Sequence, residues 1–548
     1  MKHVLKLLAL MALLMTSILP AAAQDELLSQ TAECGSEGYG GNFQSIEAVD
    51  ELTVKFTLCN PDPAFPSKVA FSAFQIYPSE YLESTGGGGP ALFENPIGTG
   101  PYKLENWTRG TEIVLTRNDE YWGDPAIEQT VIFRWNADAT ARLTELQAGS
   151  ADGIDNVGPG DFEVIEADPN LQLFPRDGLN VFYIGFNNTI APFDNLNVRQ
   201  AIAHAIDKER IVANFYPPGS SVATQFMPSA IEAGYTPEVE PFPYDPEIAR
   251  QLLEESGLEL PLEVTLNYRD VVRGYLPQPG IVATDIQAQL AEIGINVTIE
   301  VMESGAFIDA SNAGELGFHL LGWGADYPDA TNFLDFHFGA GSSPQFGEQW
   351  PEITEPLAQA AQLEDIAARN EIYAQANTAI RDLVPVVPVA HGGSGVAYRG
   401  VITGNPHASP LSNESFAVVE DPDDDNFVWI QNGEPAGLYC ADETDGEALR
   451  VCEQVNEALL GYEVGGTSVV PVLAESYEVN EELTEWTFTL REGVVFHDGS
   501  AFDANDVVAS YVAQWDAASP LHVGRTGEFY YFSALFGGFV NAQPAEGE

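Results

Sequence analysis

The chain opens with a charged start and one long apolar run, then settles into short alternating segments. Lys2 and Lys6 precede the apolar residues 7–19, and Ala21, Ala22 and Ala23 follow. This reads as an export signal over residues 1–23, cleaved near Gln24. The run is too short to span a membrane, and no other stretch is long and apolar enough. Residues 45–58 alternate apolar and polar positions around an Asp-Glu turn, which predicts a strand pair. Residues 95–107 form a Gly/Pro-punctuated turn entering a strand, and 113–122 continue the sheet. Residues 131–133 are extended, 137–148 make an amphipathic helix, and 151–154 return to the sheet. Strand and helix alternating in this way is the mark of an α/β fold.

The same alternation continues. Residues 180–188, NVFYIGFNN, are apolar on both faces, as in a strand at a central or inter-lobe position. One helix is expected over 197–215, with His204 a satisfied histidine among apolar neighbours, and another over 245–256 with Pro246 in its first turn. A strand at 262–266 leads to a loop, 270–280, that presents Arg273 and Tyr275. Helix 281–293, strand 295–301, a mostly helical 355–383 and a short strand at 384–389 follow. Residues 421–425 are an acidic run read as a linker; they lack the glycine and terminal glutamate of a calcium loop. From Phe427 the chain begins again as if at a domain's start, and 471–508 alternate in strand fashion before an Asp-capped helix.

One stretch carries candidate chemistry. In LLGWGADYPDATNFL, residues 320–334, Gly322 and Gly324 flank Trp323, and Asp326 precedes a Pro-containing turn. Two glycines let a ligand backbone approach closely while the indole covers it. An acid at the edge can hold an ammonium group in a dry cleft. The plain alternative is a strand that ends in an ordinary turn.

Composition narrows the field. The 82 acidic residues against 22 basic ones give a net charge of −60, which repels phosphate backbones and anionic membranes. Nucleic acid is therefore excluded as a partner. Four cysteines in an exported chain imply two disulfides; sequence proximity favours Cys34 with Cys59 and Cys440 with Cys452, and two other connectivities stay open. No Cys-x-x-Cys or histidine cluster points to a metal, and no cofactor is implied. The Gly86–Gly89 run is read as a surface loop, since no Gly-Lys-Ser/Thr follows and no helix is expected to open there. A hydrolase would need a Gly-x-Ser-x-Gly elbow or His-Glu-x-x-His, and neither occurs.

Several motifs together resemble the family 5 solute-binding proteins of ABC importers, the dipeptide, oligopeptide and nickel group. They are LAESYEV with WTFTLREGVVFHDGSAFDANDVV at 473–508, NPIGTGPYKLENW, TRNDEYWG, ADATARLTELQAG, DGLNVFYIGFN, NVRQAIAHAIDKERIV, YDPEIARQLLEESG, the Trp323 stretch and VAYRGVITG. The first of these stands near the family's N-terminus but here lies at the far end. Residues from about 427 to 545 resemble the family's opening section, and 30–418 its continuation, as in a circular permutant. An assembly artefact that joins the ends of two neighbouring gene copies is the alternative.

The resemblance implies a class II periplasmic-binding-protein fold, α/β, with two main lobes, an extra third lobe and a two-crossing hinge. Lobe I would combine 93–187, 399–418 and 426–462; the extra lobe 25–92 and 463–548; lobe III 188–398; and 419–425 would be the acidic linker. The crossings would fall near 185–188 and 396–400. It also implies an exported monomer without a lipid anchor that captures a peptide and docks on a membrane permease. By the same resemblance Asp326 would pair with the peptide's ammonium, Gly322 and Gly324 would offer backbone groups, Trp323 would cover the ligand, and Arg273 beside Tyr275 would hold its carboxylate. Thr444 and Gly446 match a lobe I turn that also meets ligand. A nickel chelate or an oligosaccharide is the alternative solute within the family.

Overall fold

The computed structural model describes residues 27–542, apart from 37 and 272, so the export signal expected at 1–23 lies outside the described residues. Three large sheets frame the molecule. The first has the strand order Ser29–Thr31, Phe43–Asp50, Thr53–Leu58, Glu485–Leu490, Ala474–Val479, so the head and tail of the chain share one sheet. Thr53–Leu58 runs antiparallel to Glu485–Leu490, with Phe56 opposite Trp486 and Val54 opposite Phe488. Both segments alternate strictly, so their buried side chains fall on one face. Helix Ala504–Trp515 covers that face; its first turn is closed by a capping box between Asp503 and Asp506. The disulfides pair Cys34 with Cys59 and Cys440 with Cys452, the local connectivity expected.

The second sheet has seven strands, Tyr102–Thr108, Glu112–Arg117, Thr130–Trp135, Asn426–Gln431, Gly153–Ile154, Ser394–Arg399 and Leu171–Arg176 in spatial order. The third has six, Ser221–Val222, Val386–His391, Asn180–Phe186, Phe318–Gly324, Leu262–Arg269 and Ile295–Met302. The chain passes between these two sheets twice, at 177–179 and at 392–393. Both crossings precede the places expected from the sequence, 185–188 and 396–400, because Asn180–Phe186 and Ser394–Arg399 are fully paired strands inside their sheets. The lobe boundaries move with them.

The crossings lie backbone against backbone. A Cβ on Gly178 would sit 2.0 Å from the Gly392 carbonyl oxygen, and one on Gly392 would sit 2.0 Å from that of Gly274. The Asn180 side chain ties the crossings together, donating to the Gly392 carbonyl at 2.7 Å and accepting from the Gly392 N–H at 2.8 Å.

Three other expectations change. The helix expected over 197–215 is two, Leu196–Ala205 and Lys208–Phe215, because Asp207 accepts from the Arg210 N–H and starts a new helix. His204 is only half-buried, but it is satisfied: its Nδ1 lies 2.9 Å from the Pro243 carbonyl oxygen. The Gly86–Gly89 run is no free surface loop. Gly87 and Gly88 are buried, the Gly524 N–H donates to the Gly87 carbonyl at 2.9 Å, and helix Gly89–Glu94 opens there. The acidic segment 419–425 is likewise more than a solvated linker, since Val419–Glu420 pairs with Thr403–Gly404 and buried Asp421 takes an ion pair from Arg399.

Gly178→Ala should destabilise the fold by about 1–3 kcal/mol through overlap with the Gly392 backbone, whereas Gly433→Ala, with open space around it, should leave the urea midpoint unchanged. Equal midpoints for the two variants would refute the tight crossing.

Candidate functional site

A cavity of about 540 Å³ lies over the two crossings. That volume is in the range of sites for small ligands. Its floor includes Gly178, Asn180, Gly392 and Ser394; Arg273, Tyr275, Gly324 and Asp326 line it from the six-stranded-sheet side; Phe71 enters from the head of the chain. Four of the residues singled out in the sequence therefore meet at one cavity: Asp326, Arg273, Tyr275 and Gly324.

Local structure sets the Asp326 carboxylate. Strand Phe318–Gly324 ends just before it, and the Ala325 N–H donates to the Leu179 carbonyl at 2.8 Å, fixing the chain against the first crossing. Asn332 then accepts from the Asp326 N–H and donates to its Oδ2, both at 3.0 Å. The next residue, Tyr327, is buried in the core of the head-and-tail lobe, and Lys68 lies 5.2 Å from its ring centroid. Burial raises the Asp326 carboxyl above its ordinary range, with the Asn332 hydrogen bond pulling the other way. Among the described residues no ion pair includes it.

The remaining candidates have other positions. Gly322 is buried and pairs with Phe182; a Cβ there would fall 2.3 Å from the Tyr275 ring, so its bareness admits that ring and it does not line the cavity. Trp323 does not line the cavity either. Alternation along the strand turns its indole away, where it stacks on Phe336 at 4.4 Å and donates to Asn332 at 3.2 Å. This corrects the expected cover. Thr444 and Gly446 are exposed and lie outside the lining; Gly446 begins helix Gly446–Val455, which Asp445 caps.

The structure adds groups the sequence reading missed. Tyr530 and Tyr531 stand near enough to Asp326 for its charge, after burial, to push both phenols up, and Asp445 acts on Tyr531 as well. The tyrosines are positioned by an anchored turn. Asp442 accepts from the N–H groups of Thr526, Gly527 and Phe529 and from the Thr526 hydroxyl, while Glu443 takes both arms of Arg525 at 2.6 and 2.7 Å. The adjacent acids in ADETDG were the available signal. Arg176, a further lining residue, is buried with Arg450 against Asp155 and Glu414, a set of two cations and two anions. Burial works to raise Glu414, but the two guanidinium groups outweigh it and hold its carboxyl well below the usual range. No group of three or more metal-ligating side chains occurs among the described residues.

Two lobes joined by paired crossings, with a partly enclosed cavity over the joint, define a hinged binding protein. The chain belongs to the bacterial extracellular solute-binding proteins, family 5, whose model matches residues 21–345 and 468–528. It is similar to di/tripeptide-binding protein 1 of Pseudomonas aeruginosa, 34% identical over 360 residues, covering 65% of this chain and 67% of that protein. Among solved structures it is similar to HbpA2 from Haemophilus parasuis, at a TM-score of 0.66 and 32% identity over 69% of this chain and 76% of the other. It is also similar to a dipeptide-binding protein from Pseudoalteromonas in complex with Met-Leu, with TM-score 0.55 and 27% identity over 70% and 77% of the two chains. The fold is that of the class II periplasmic binding proteins.

Asp442→Ala should loosen the turn that carries the tyrosines and cost about 1–3 kcal/mol, because several N–H groups lose their acceptor. A urea titration, with limited proteolysis near Arg525, measures both effects; an unchanged midpoint would refute the anchoring role.

Proposed function

We propose that the protein is a non-catalytic, extracytoplasmic receptor that captures short peptides by lobe closure and delivers them to an ABC importer. The supporting observation is the cavity itself: an unpaired carboxylate, Asp326, and a guanidinium, Arg273, line the same space. Those are complementary to the two ends of a short peptide. Gly324, exposed at the end of its strand with nothing near its Cβ position, leaves backbone groups open to an extended ligand. A relative named for binding di- and tripeptides, and the dipeptide-binding protein in complex with Met-Leu, support the same solute class. Among the described residues no helix is long and apolar enough to cross a membrane. Export to the periplasm rests on the signal read from residues 1–23.

We also propose that the chain order is a circular permutation of the family's. The shared head-and-tail sheet and the family match to 468–528 support it. A chain rearranged to run 427–541 and then 27–418, with a short linker, should fold and bind the same peptides with unchanged affinity. Failure to fold or bind would count against the permutation.

A micromolar ligand requires about 8 kcal/mol, of which one charge-assisted hydrogen bond gives about 1.5–3 kcal/mol. Asp326→Ala should therefore weaken dipeptide binding about ten- to a hundredfold in calorimetric titration, with little change in stability. Unchanged affinity would remove the ammonium assignment. The raised carboxyl also sets a pH dependence. Protonation of Asp326 competes with the ligand ammonium, so affinity should fall as pH drops toward a range above that of an ordinary aspartate. Asp326→Asn should lack this slope.

A further inference from the structure

A second cavity, of about 340 Å³, lies between the head-and-tail lobe and the seven-stranded sheet. It adjoins the cleft along two chain segments. Phe71 and Ser412 line the larger space, while their neighbours Ser72 and Asn413 line the smaller. Sequence neighbours thus line the two spaces at two places.

The wall of this second cavity holds two carboxyl groups four residues apart, Glu453 and Glu457. Glu457 is a fixed acceptor: it takes hydrogen bonds from the Tyr121 hydroxyl at 2.7 Å, the Trp122 indole at 2.8 Å and the Thr99 hydroxyl at 2.7 Å. Glu453, half-buried, accepts from the Ser72 hydroxyl. No ion pair among the described residues includes either acid; the nearest influence of a cation is Arg491, which stacks on Trp122 at 4.3 Å and acts on Glu457. Burial without a cation pushes both carboxyls up to about 7.

Two further groups in the same wall are unsatisfied. Asn456 is 1% exposed, and neither its side-chain oxygen nor its nitrogen has a hydrogen-bond partner. Gln75, also 1% exposed, leaves its side-chain oxygen without one. Buried polar groups are costly when left unpaired, and in this wall the Asn456 and Gln75 side-chain oxygens have no donor while Glu453 has a single one, the Ser72 hydroxyl. The missing group is a donor that carries positive charge. Tyr121, Trp122 and Tyr462 add aromatic surface suited to a methylene stem or a cation. An apolar guest would leave the acceptors unpaired, and an anion would meet like charge. The chain's net charge of −60 favours the same sign of guest.

Resting on the peptide reading above, we propose that this cavity receives the charged end of a lysine or arginine side chain of a peptide held in the cleft. Glu453 and Glu457 accept from the cation, and the aromatic rings flank its stem. The receptor then prefers basic peptides.

The experiment is competitive calorimetry on the full-length exported protein with Ala-Ala, Ala-Lys, Lys-Ala and the matching norleucine peptides, Ala-Nle and Nle-Ala. Norleucine keeps the stem and removes the charge. At least one lysine peptide should bind about ten- to a hundredfold more tightly than both its norleucine counterpart and Ala-Ala. Glu453→Gln should bring that peptide down to the level of its norleucine counterpart. If this variant does not fold, the lysine–norleucine comparison on the unaltered protein still decides. Binding of Ala-Ala with no advantage for either lysine peptide would overturn the basic-side-chain pocket alone. No binding of any of the five peptides would overturn the peptide reading and the pocket with it.

Discussion

The close passage of the two interlobe crossings is the constraint on which the rest of the molecule depends. Gly178 lets its backbone touch that of Gly392, whose own bareness admits Gly274, and one asparagine, Asn180, satisfies both polar groups of Gly392. Because each crossing runs straight into a strand, Leu171–Arg176 to Asn180–Phe186 and Val386–His391 to Ser394–Arg399, the two large sheets share one stiff joint. The ligand cavity is the space above that joint. Both polar groups of Gly392 are already satisfied by the Asn180 side chain, so that contact needs no solvent in the floor.

Charge in this acidic chain separates into two kinds. Arg176, Arg450, Asp155 and Glu414 satisfy one another in the interior, as do Arg369 and Asp329. These pairs cost desolvation and are stable only as complete sets. Asp326, Glu453 and Glu457 are different: they are removed from much of the solvent with hydrogen-bond donors but no paired cation. A binding protein that must gain energy only when occupied needs that second kind.

Alternation made much of the fold legible. TVKFTL and EWTFTL put buried residues where the period requires, NVFYIGF is buried on both faces as its continuous apolar run predicts, and Asp503 and Asp245 cap helices where a helix start was expected. Asp326 could be singled out because two glycines and a turn surround it. Trp323 shows the limit, since a period of two places it on the face opposite the cavity and only the strand's register reveals which face that is. The crossings were misplaced because a fully apolar strand such as Asn180–Phe186 looks the same inside a sheet as between lobes. Tyr531 and Asp442 lie 89 positions apart in the chain, and their proximity comes from tertiary packing that no local pattern encodes.

The sheet that joins the two ends of the chain has a consequence for biosynthesis. Thr53–Leu58 cannot find Glu485–Leu490 until all the residues between them have been made, so this pairing closes a very long loop. Until then Phe43–Asp50 and Thr53–Leu58 form a hairpin with one bare edge and an uncovered face that carries Phe43, Ile46, Val54 and Phe56. An uncovered strand of that kind invites association with other chains. Folding that waits until residues 485–490 are available suits such a topology better than stepwise closure of the 43–58 hairpin.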